Sequence, residues 1–311
     1  MAMTHTSRMP QPIASYYEKR FLVRAEENFV YEGLGTPGRI PANEGKTVVW
    51  NRMTNPTAKT ALSEGYDPTP AGLSATLISA TVSQYGNYEQ VSDLLELTAI
   101  DTLIKEVIDV LAYEAALSID TVIANALTAG GIQQLQGSIA SRNSLVASNK
   151  IEVSDIRKAL RTLNRMCAQP HTKGKYVATT HPDVIYDLQG DSSWINAHIY
   201  TEKGIDAVYN GEAGEIFGTR FVMTQNAPVL VKAGCSTGAV SANVYQTHIM
   251  GKDFFGVSKL QNLTTYVDSP SPRSALRLYS DIGWKASFAV KVLNDSFAVR
   301  LETGATDGNA S

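Results

Sequence analysis

Cysteine is nearly missing: two thiols, Cys167 and Cys235, occur in 311 residues. They lie far apart, so a disulfide-built scaffold is excluded and a reducing compartment is expected. No apolar run is long enough to span a bilayer. The start, Met1 to Pro12, is polar, with His, Arg and two prolines, and does not resemble a secretion signal. A soluble intracellular product is the expectation. Charge is also thin, at 18% Asp, Glu, Lys and Arg, a deficit that buried subunit contacts could produce. No basic stripe with interleaved aromatics is read from the sequence, which disfavours a dedicated nucleic-acid reader. There is no internal repeat.

What is present is a core and an uneven charge. A hydrophobic content of 43% is enough for one large or two ordinary domains. Residues 1–60 carry eight Lys and Arg against five Asp and Glu, whereas residues 61–131 carry ten acids and one base, Lys105. The remainder holds eighteen bases and fifteen acids, which returns the chain to its net −3. Two readings stand side by side. The acidic stretch is a solvated helix face, or basic arms of one subunit meet acidic helices of the next.

The most informative stretch runs from Gly72 to Leu127. Leu73 to Asn87 is dense in Thr, Ser, Val, Ile and Tyr, with no proline and one glycine, which is strand composition. At ~3.3 Å per residue it would reach roughly 50 Å, far beyond a usual strand. After Ser92-Asp93 the period changes to helical. Ile100, Ile104, Val107, Leu111, Ala115, Val122 and Ala126 share one stripe, with Glu106, Asp109 and Asp120 opposite. Gly130-Gly131 closes the helix, which is expected over 93–129. Upstream, Lys46 to Met53 is a second strand candidate, and Pro56, Gly65, Pro68, Pro70 and Gly72 break the segment between the two. Together they predict an extended two-stranded excursion. Such a hairpin is marginal in water and needs a surface, on its own domain or on a neighbouring subunit; its length favours the neighbour.

Ile151 to Asp253 alternates helices and strands after a Ser/Asn/Gln-rich connector. Val153-Ser154-Asp155 opens a helix with Ile156, Leu160 and Leu163 inside. Lys175 to Thr180 and Thr219 to Thr224 are strands, and His181-Pro182-Asp183 opens a short helix. Leu276 to Leu301 reads as a β-hairpin turning at Asn294-Asp295, with Trp284, Ala286, Phe288, Val290 and Val292 on one face and Phe297, Val299 and Leu301 returning. The tail, 303–311, is expected to be disordered.

Each candidate for chemistry fails on context. Gly33-Leu34-Gly35-Thr36-Pro37-Gly38 fits GxGxxG, but Pro37 sits inside it and Arg39-Ile40-Pro41 follows where a helix should open, so a tight loop is expected. Gly45-Lys46-Thr47 resembles the end of a phosphate-binding loop, yet position 40 is Ile and a strand follows. Gly234-Cys235-Ser236-Thr237-Gly238 fits GxSxG, but a strand follows and no acid lies between Ser236 and His248, so a surface turn is expected. His5, His171, His181, His198 and His248 show no ligand spacing; most are expected on the surface or in loops, with His181 helping to cap a helix. Glu212 and Glu215 read as solvated carboxylates in a Gly-rich loop. No catalytic, cofactor-binding or metal-binding residue is assigned.

The order of arm, long excursion, long helix, α/β insertion and closing hairpin resembles the Hong Kong 97 fold, and the sequence is similar to tailed-bacteriophage major capsid proteins, closest to the subgroup typified by coliphage N-four. The residues that carry the likeness are Leu62-Ser63-Glu64-Gly65, Ser83-Gln84-Tyr85-Gly86 leading to Ser92-Asp93, and Leu117-Ser118-Ile119-Asp120. Further on they are His181-Pro182-Asp183, Gly218-Thr219-Arg220-Phe221, Gly251-Lys252-Asp253 and Ile282-Gly283-Trp284-Lys285-Ala286. The match covers nearly the whole chain.

The resemblance implies an α+β fold with 1–45 as N-terminal arm and 46–87 as extended loop. It implies a peripheral domain from 88–150 and 259–311, whose spine helix is 93–129, and an axial domain from 151–258 with a Gly-rich loop near Gly204 to Gly218 facing the capsomer axis. It further implies pentamers and hexamers closing into an icosahedral shell around double-stranded DNA in the virion, assembled in the host cytoplasm. Contacts to DNA would be non-specific and salt-sensitive. Because the chain starts almost directly at the arm, a scaffold would be a separate protein; portal and decoration proteins are further partners so implied. Some relatives crosslink covalently through a loop lysine. Lys59 stands near the tip, but no carboxylate catalyst can be assigned, so a solvated lysine and a single monomer band on a boiled, reduced gel are expected. Two other functions remain open: an encapsulin-like shell around enzyme cargo, and a soluble α/β enzyme with a pocket of perturbed ionisable groups.

Overall fold

The computed structural model of the chain describes residues 20–25, 29–39, 45–53, 65, 72–98, 103–137, 139–171, 174–194, 214–233, 242–268, 271, 273 and 275–306. Among these, residues 20–25 form a short helix, α1. Then come β1 (Thr36–Gly38), β2 (Thr47–Met53), β3 (Ala75–Thr81), β4 (Ser83–Ser92), α2 (Asp93–Thr98) and α3 (Leu103–Leu127). The second half holds β5 (Ile132–Leu135), α4 (Val153–Arg165), β6 (Tyr176–Thr180), α5 (Pro182–Gln189), β7 (Glu215–Ile216), β8 (Thr219–Met223) and β9 (Val229–Leu230). It ends with β10 (Val244–Met250), β11 (Phe255–Asp268), β12 (Tyr279–Val292) and β13 (Ala298–Thr303).

Three sheets result. One is four-stranded, ordered β1-β11-β12-β4, one is seven-stranded, running β5-β13-β10-β6-β8-β7 with β9 beside β10, and the third is the hairpin β2-β3. The long strand expected from Leu73 is therefore two strands serving two sheets. β3 pairs β2 over seven residues, and from Ser83 the same extended chain pairs β12 as far as Ser92. The excursion thus ends at Val82 rather than Asn87. The helix expected over 93–129 is described as α2 and α3; residues 99–102 and the side chain of Ile104 lie outside the described residues. Gly131, at φ 79, makes the left-handed exit after α3 that the Gly-Gly pair promised.

The closing hairpin is a correction. β12 and β13 do not pair with each other. β12 lies between β11 and β4, while β13 lies between β10 and β5. Asn294 accepts a hydrogen bond from the Ser296 amide and starts a 3-10 turn over Asp295–Phe297, and this turn hands the chain from one sheet to the other. Local alternation identified both strands but could not identify their partners. β5 and β13 join the seven-stranded sheet, and β11 begins at Phe255 in the four-stranded one.

Two cores hold these layers. In the first, Ile108, Leu111, Ala115, Ile119 and Ile123 of α3 pack on Phe255, Ile282, Trp284 and Phe288, with Phe21 and Tyr31 of the arm closing over them. In the second, Ile156, Leu160 and Leu163 of α4 and Val184 and Leu188 of α5 cover Ala178, Phe221, Ile249 and Leu301. Each of the Val, Leu, Ile and Phe side chains among them stabilises by roughly 1.5–3 kcal/mol. Phe297 packs against both cores from the turn between them. His181 caps α5 with Pro182 in its first turn, as expected.

Candidate assembly interface

The β2–β3 hairpin has two faces, because side chains alternate along each strand. Its register puts Val48, Trp50, Ile78 and Ala80 on one face and Val49, Met53 and Leu77 on the other. The first face rests on the hairpin's own subunit. Val48 is buried, and the Trp50 indole lies so close over Gly38 and Gly256 that a Cβ at either glycine would come within 2.7 Å of the ring. The Val82 amide donates to the Lys46 carbonyl at 2.8 Å, and the Arg52 guanidinium donates to the Leu293 carbonyl at 3.2 Å. The second face is open: Val49 is 54% exposed, Met53 67% and Leu77 71%. Apolar side chains on the uncovered face of a two-stranded ribbon mark a contact surface. Of the two surfaces weighed from the sequence, the hairpin's own subunit is met by the first face. Lys59, at the tip, lies outside the described residues.

The arm is fixed to α3 by carboxylates. Arg20 donates to Asp109 from Nε at 2.9 Å and from Nη2 at 2.5 Å, and this bond holds the Asp109 carboxyl below its usual range. Asp120 was expected on the outer, polar face of α3. It is fully buried instead, because it accepts from the Val30 amide at 2.8 Å and the Tyr31 amide at 3.3 Å. Burial pushes its carboxyl up to about 6 although both amides pull the other way. The Tyr31 phenol is likewise pushed up to about 12 by burial.

A polar knot joins the end of α3 to the seven-stranded sheet. Glu302 is completely buried and accepts from Arg142 at 2.5 and 2.7 Å, Gln133 at 2.8 Å, Arg300 at 3.0 Å and Gln246 at 3.3 Å. Burial alone would raise its carboxyl; the donors outweigh that and hold it below the usual range. Arg300 also donates to the carbonyls of Thr128 and Gly130, where α3 leaves acceptors unpaired. His248 is an exception to the expectation that most histidines lie on the surface or in loops. It is buried in the middle of β10, 3.2 Å from the Leu127 carbonyl, and burial, then the Arg300 charge, lower its pKa to about 4. A neutral imidazole donating from Nε2 fits that contact. The sequence did carry a signal. Gln246 and His248 stand directly across from Glu302 and Arg300 on paired strands, two polar residues at alternate positions in each of two strands.

The motifs set aside behave as loops and strands. Glu32–Leu34 is a 3-10 turn and the second half of GxGxxG is strand β1; Ile40 and Pro41, where a helix would open, lie outside the described residues. β2 follows Gly45-Lys46. His171 approaches the Leu34 carbonyl at 3.0 Å, and Glu215 pairs with Lys175. The GxSxG segment, Cys235, Glu212, His5, His198 and the 204–213 part of the Gly-rich loop lie outside the described residues. No cluster of three or more metal-ligating side chains occurs among the described residues. One reading needs correction: α4 does carry a basic stripe, Arg157, Arg161 and Arg165, with Phe217 beside it.

The sequence matches no protein-family model and no curated relative. Its backbone does match solved structures. The capsid of Ralstonia phage GP4 aligns with a TM-score of 0.68 at 15% identity, over 86% of each chain. The cyanophage Pam1 capsid aligns with a TM-score of 0.68 at 14% identity, over 86% of this chain and 87% of that one. The capsid of cyanophage P-SCSP1u gives 0.65 at 17%, over 89% and 88%. The two large sheets, the hairpin and α3 together make this chain an α+β protein with the fold of phage capsid subunits, the Hong Kong 97-like architecture that the sequence resembles.

Proposed function

We propose that the chain is a major capsid protein, a structural subunit and not an enzyme, that self-assembles as pentamers and hexamers into an icosahedral shell around double-stranded DNA. The observation that carries this reading is the hairpin, seated by one face on its own subunit and apolar on the other. A monomeric enzyme has no use for it; a lattice does, since many modest contacts sum to a large avidity when the shell closes. The three solved structures compared above are phage capsids, which supports the same reading. In it, the four-stranded sheet with α3 is the peripheral unit and the seven-stranded sheet with α4 and α5 the axial one. Scaffolding, portal and decoration proteins are separate partners, the DNA contact is non-specific, and the subunit is of the N-four-like subgroup. Electron microscopy of the purified protein, with particle mass measured in parallel, tests the proposal. Rings of five and six or closed shells are expected; a discrete dimer or tetramer that never assembles, even with a scaffold supplied, would overturn it.

A further inference from the structure

Arg157, Arg161 and Arg165 recur every four residues along the exposed face of α4, about 6 Å apart along the axis. None of the three has a carboxylate partner among the described residues. Phe217 stands beside them, 55% exposed, with the Arg157 guanidinium 5.8 Å over its ring. The ring is held out by unfavourable backbone. Phe217 and Gly218 form the two-residue turn between β7 and β8, at φ 50 and φ 75, where Asn or Gly is the ordinary occupant of the first position. A strained, solvent-facing phenylalanine against unpaired arginines forms a ridge with the residue types enriched at protein–protein contacts.

At the other end of the same helix lies the complement. A groove of about 870 Å³ opens between the start of α4 and α5. Glu152, Asp187 and Asp191 line it, Lys150 pairs with Asp187 at 3.2 Å and so leaves two carboxylates in excess, and Tyr186, 69% exposed, stands on its wall. We propose that the arginine ridge of one copy docks into the carboxylate-bearing groove of a second copy, head to tail. Ridge and groove are different patches on one surface, so the contact is heterologous and closes into rings when the rotation allows. Nucleic acid fits the ridge less well: the chain is net negative, and three guanidinia give a short footprint. The inference deepens the shell reading and rests on it, by assigning a pair of surfaces to the contact between neighbours in a capsomer.

Two variants of the full chain test it. One reverses the ridge (Arg157→Glu, Arg161→Glu, Arg165→Glu); the other reverses the groove (Glu152→Arg, Ser193→Arg). Each alone is expected to give a folded chain, checked by circular dichroism and melting, that forms no rings. Mixed one to one, opposite charges face each other again in alternation, and alternation closes only even-numbered rings. The mixture should regain six-membered rings and no five-membered ones. Ridge and groove variants that assemble like the parent would sink the proposal, as would a mixture that stays dispersed. A ridge variant that assembles normally but retains less DNA would reassign the ridge to nucleic acid. Should a multiple variant fail to fold, Arg161→Ala keeps helix propensity high. It should raise the concentration needed for assembly several-fold, a difference that shrinks as salt rises; no difference at low salt counts against the ridge. A parent protein that forms no ring or shell under any condition defeats the shell reading itself.

Discussion

All seven residues of β10 are buried, whereas β3 buries none of its seven. Both are extended, both are rich in β-forming residues, and the difference lies in what their faces meet. In the seven-stranded sheet even the polar groups go inside, because Arg142, Arg300 and two glutamines satisfy Glu302. On the hairpin's second face the apolar groups stay outside, because Val49, Met53 and Leu77 have nothing of their own subunit over them. One region is finished within the chain; the other, in the proposed shell, is finished by a neighbour. A strand's composition says that it is a strand; only its partners say whether it belongs to a fold or to an assembly.

The largest effect should come from the finished region. Glu302→Ala leaves Arg300 buried without its carboxylate and should destabilise the subunit by about 3–5 kcal/mol, read as a lower midpoint in urea. Ile249→Ala, at the centre of β10, should cost about 2–5 kcal/mol. If either variant melts like the parent, the sheet is not the stable half of the comparison.

Next comes the arm. Asp120→Ala orphans the Val30 and Tyr31 amides and should cost about 1–3 kcal/mol. Asp120→Asn keeps an acceptor and should cost less. Its more informative effect is on pH. A carboxyl raised to about 6 when folded makes the native state hold a proton that the unfolded chain gives up, so this stabilising contribution is lost as pH rises from about 4 through 6. His248 acts in the opposite sense. Its folded pKa of about 4 lies below its ordinary 6.5, so its contribution is present above pH 6.5 and lost as pH falls towards 4. The two oppose each other in the parent. Asp120→Asn should therefore make acid unfolding between pH 6.5 and 4 steeper, seen as a larger fall in melting temperature; a curve parallel to the parent's would contradict the burial of Asp120.

The smallest effect on the subunit should come from the hairpin. Val49→Asp with Leu77→Asp should change subunit stability by no more than about 0.5 kcal/mol while abolishing assembly, measured by sedimentation. A large loss of stability would mean that the open face is covered within the subunit after all.

How much was legible in the sequence follows the same division. Features set by local chemistry were readable: the strand-to-helix change at Ser92-Asp93, the inner face of α4, the His181 cap, the two-stranded excursion. Features set by distant partners were not. The apolar alternation of 284–301 is the same whether Phe297, Val299 and Leu301 return to β12 or cross to β10, and only tertiary pairing decides. Asp120 reads as a surface acid on any helical wheel, because the backbone amides that justify its burial come from about 90 residues earlier. His248 and Glu302 were missed for a related reason. A polar residue at alternate strand positions is ordinarily solvent-facing, and here that side meets the end of α3. The arginine ridge was on view at four-residue spacing, but its aromatic companion, Phe217, is fifty residues away and needed the fold to bring it near.

Amide hydrogen exchange on the same protein as free subunits and as assembled particles compares the two regions most directly. The amides of β6, β10 and β13 should be equally protected in both states. Those of β2 and β3 should exchange quickly in the free subunit and slow by at least about tenfold in the particle, where a neighbour covers Val49, Met53 and Leu77. Hairpin amides that exchange at the same rate in both states would show that no neighbour completes it, and would contradict the reading of this chain as a shell subunit built around that contact.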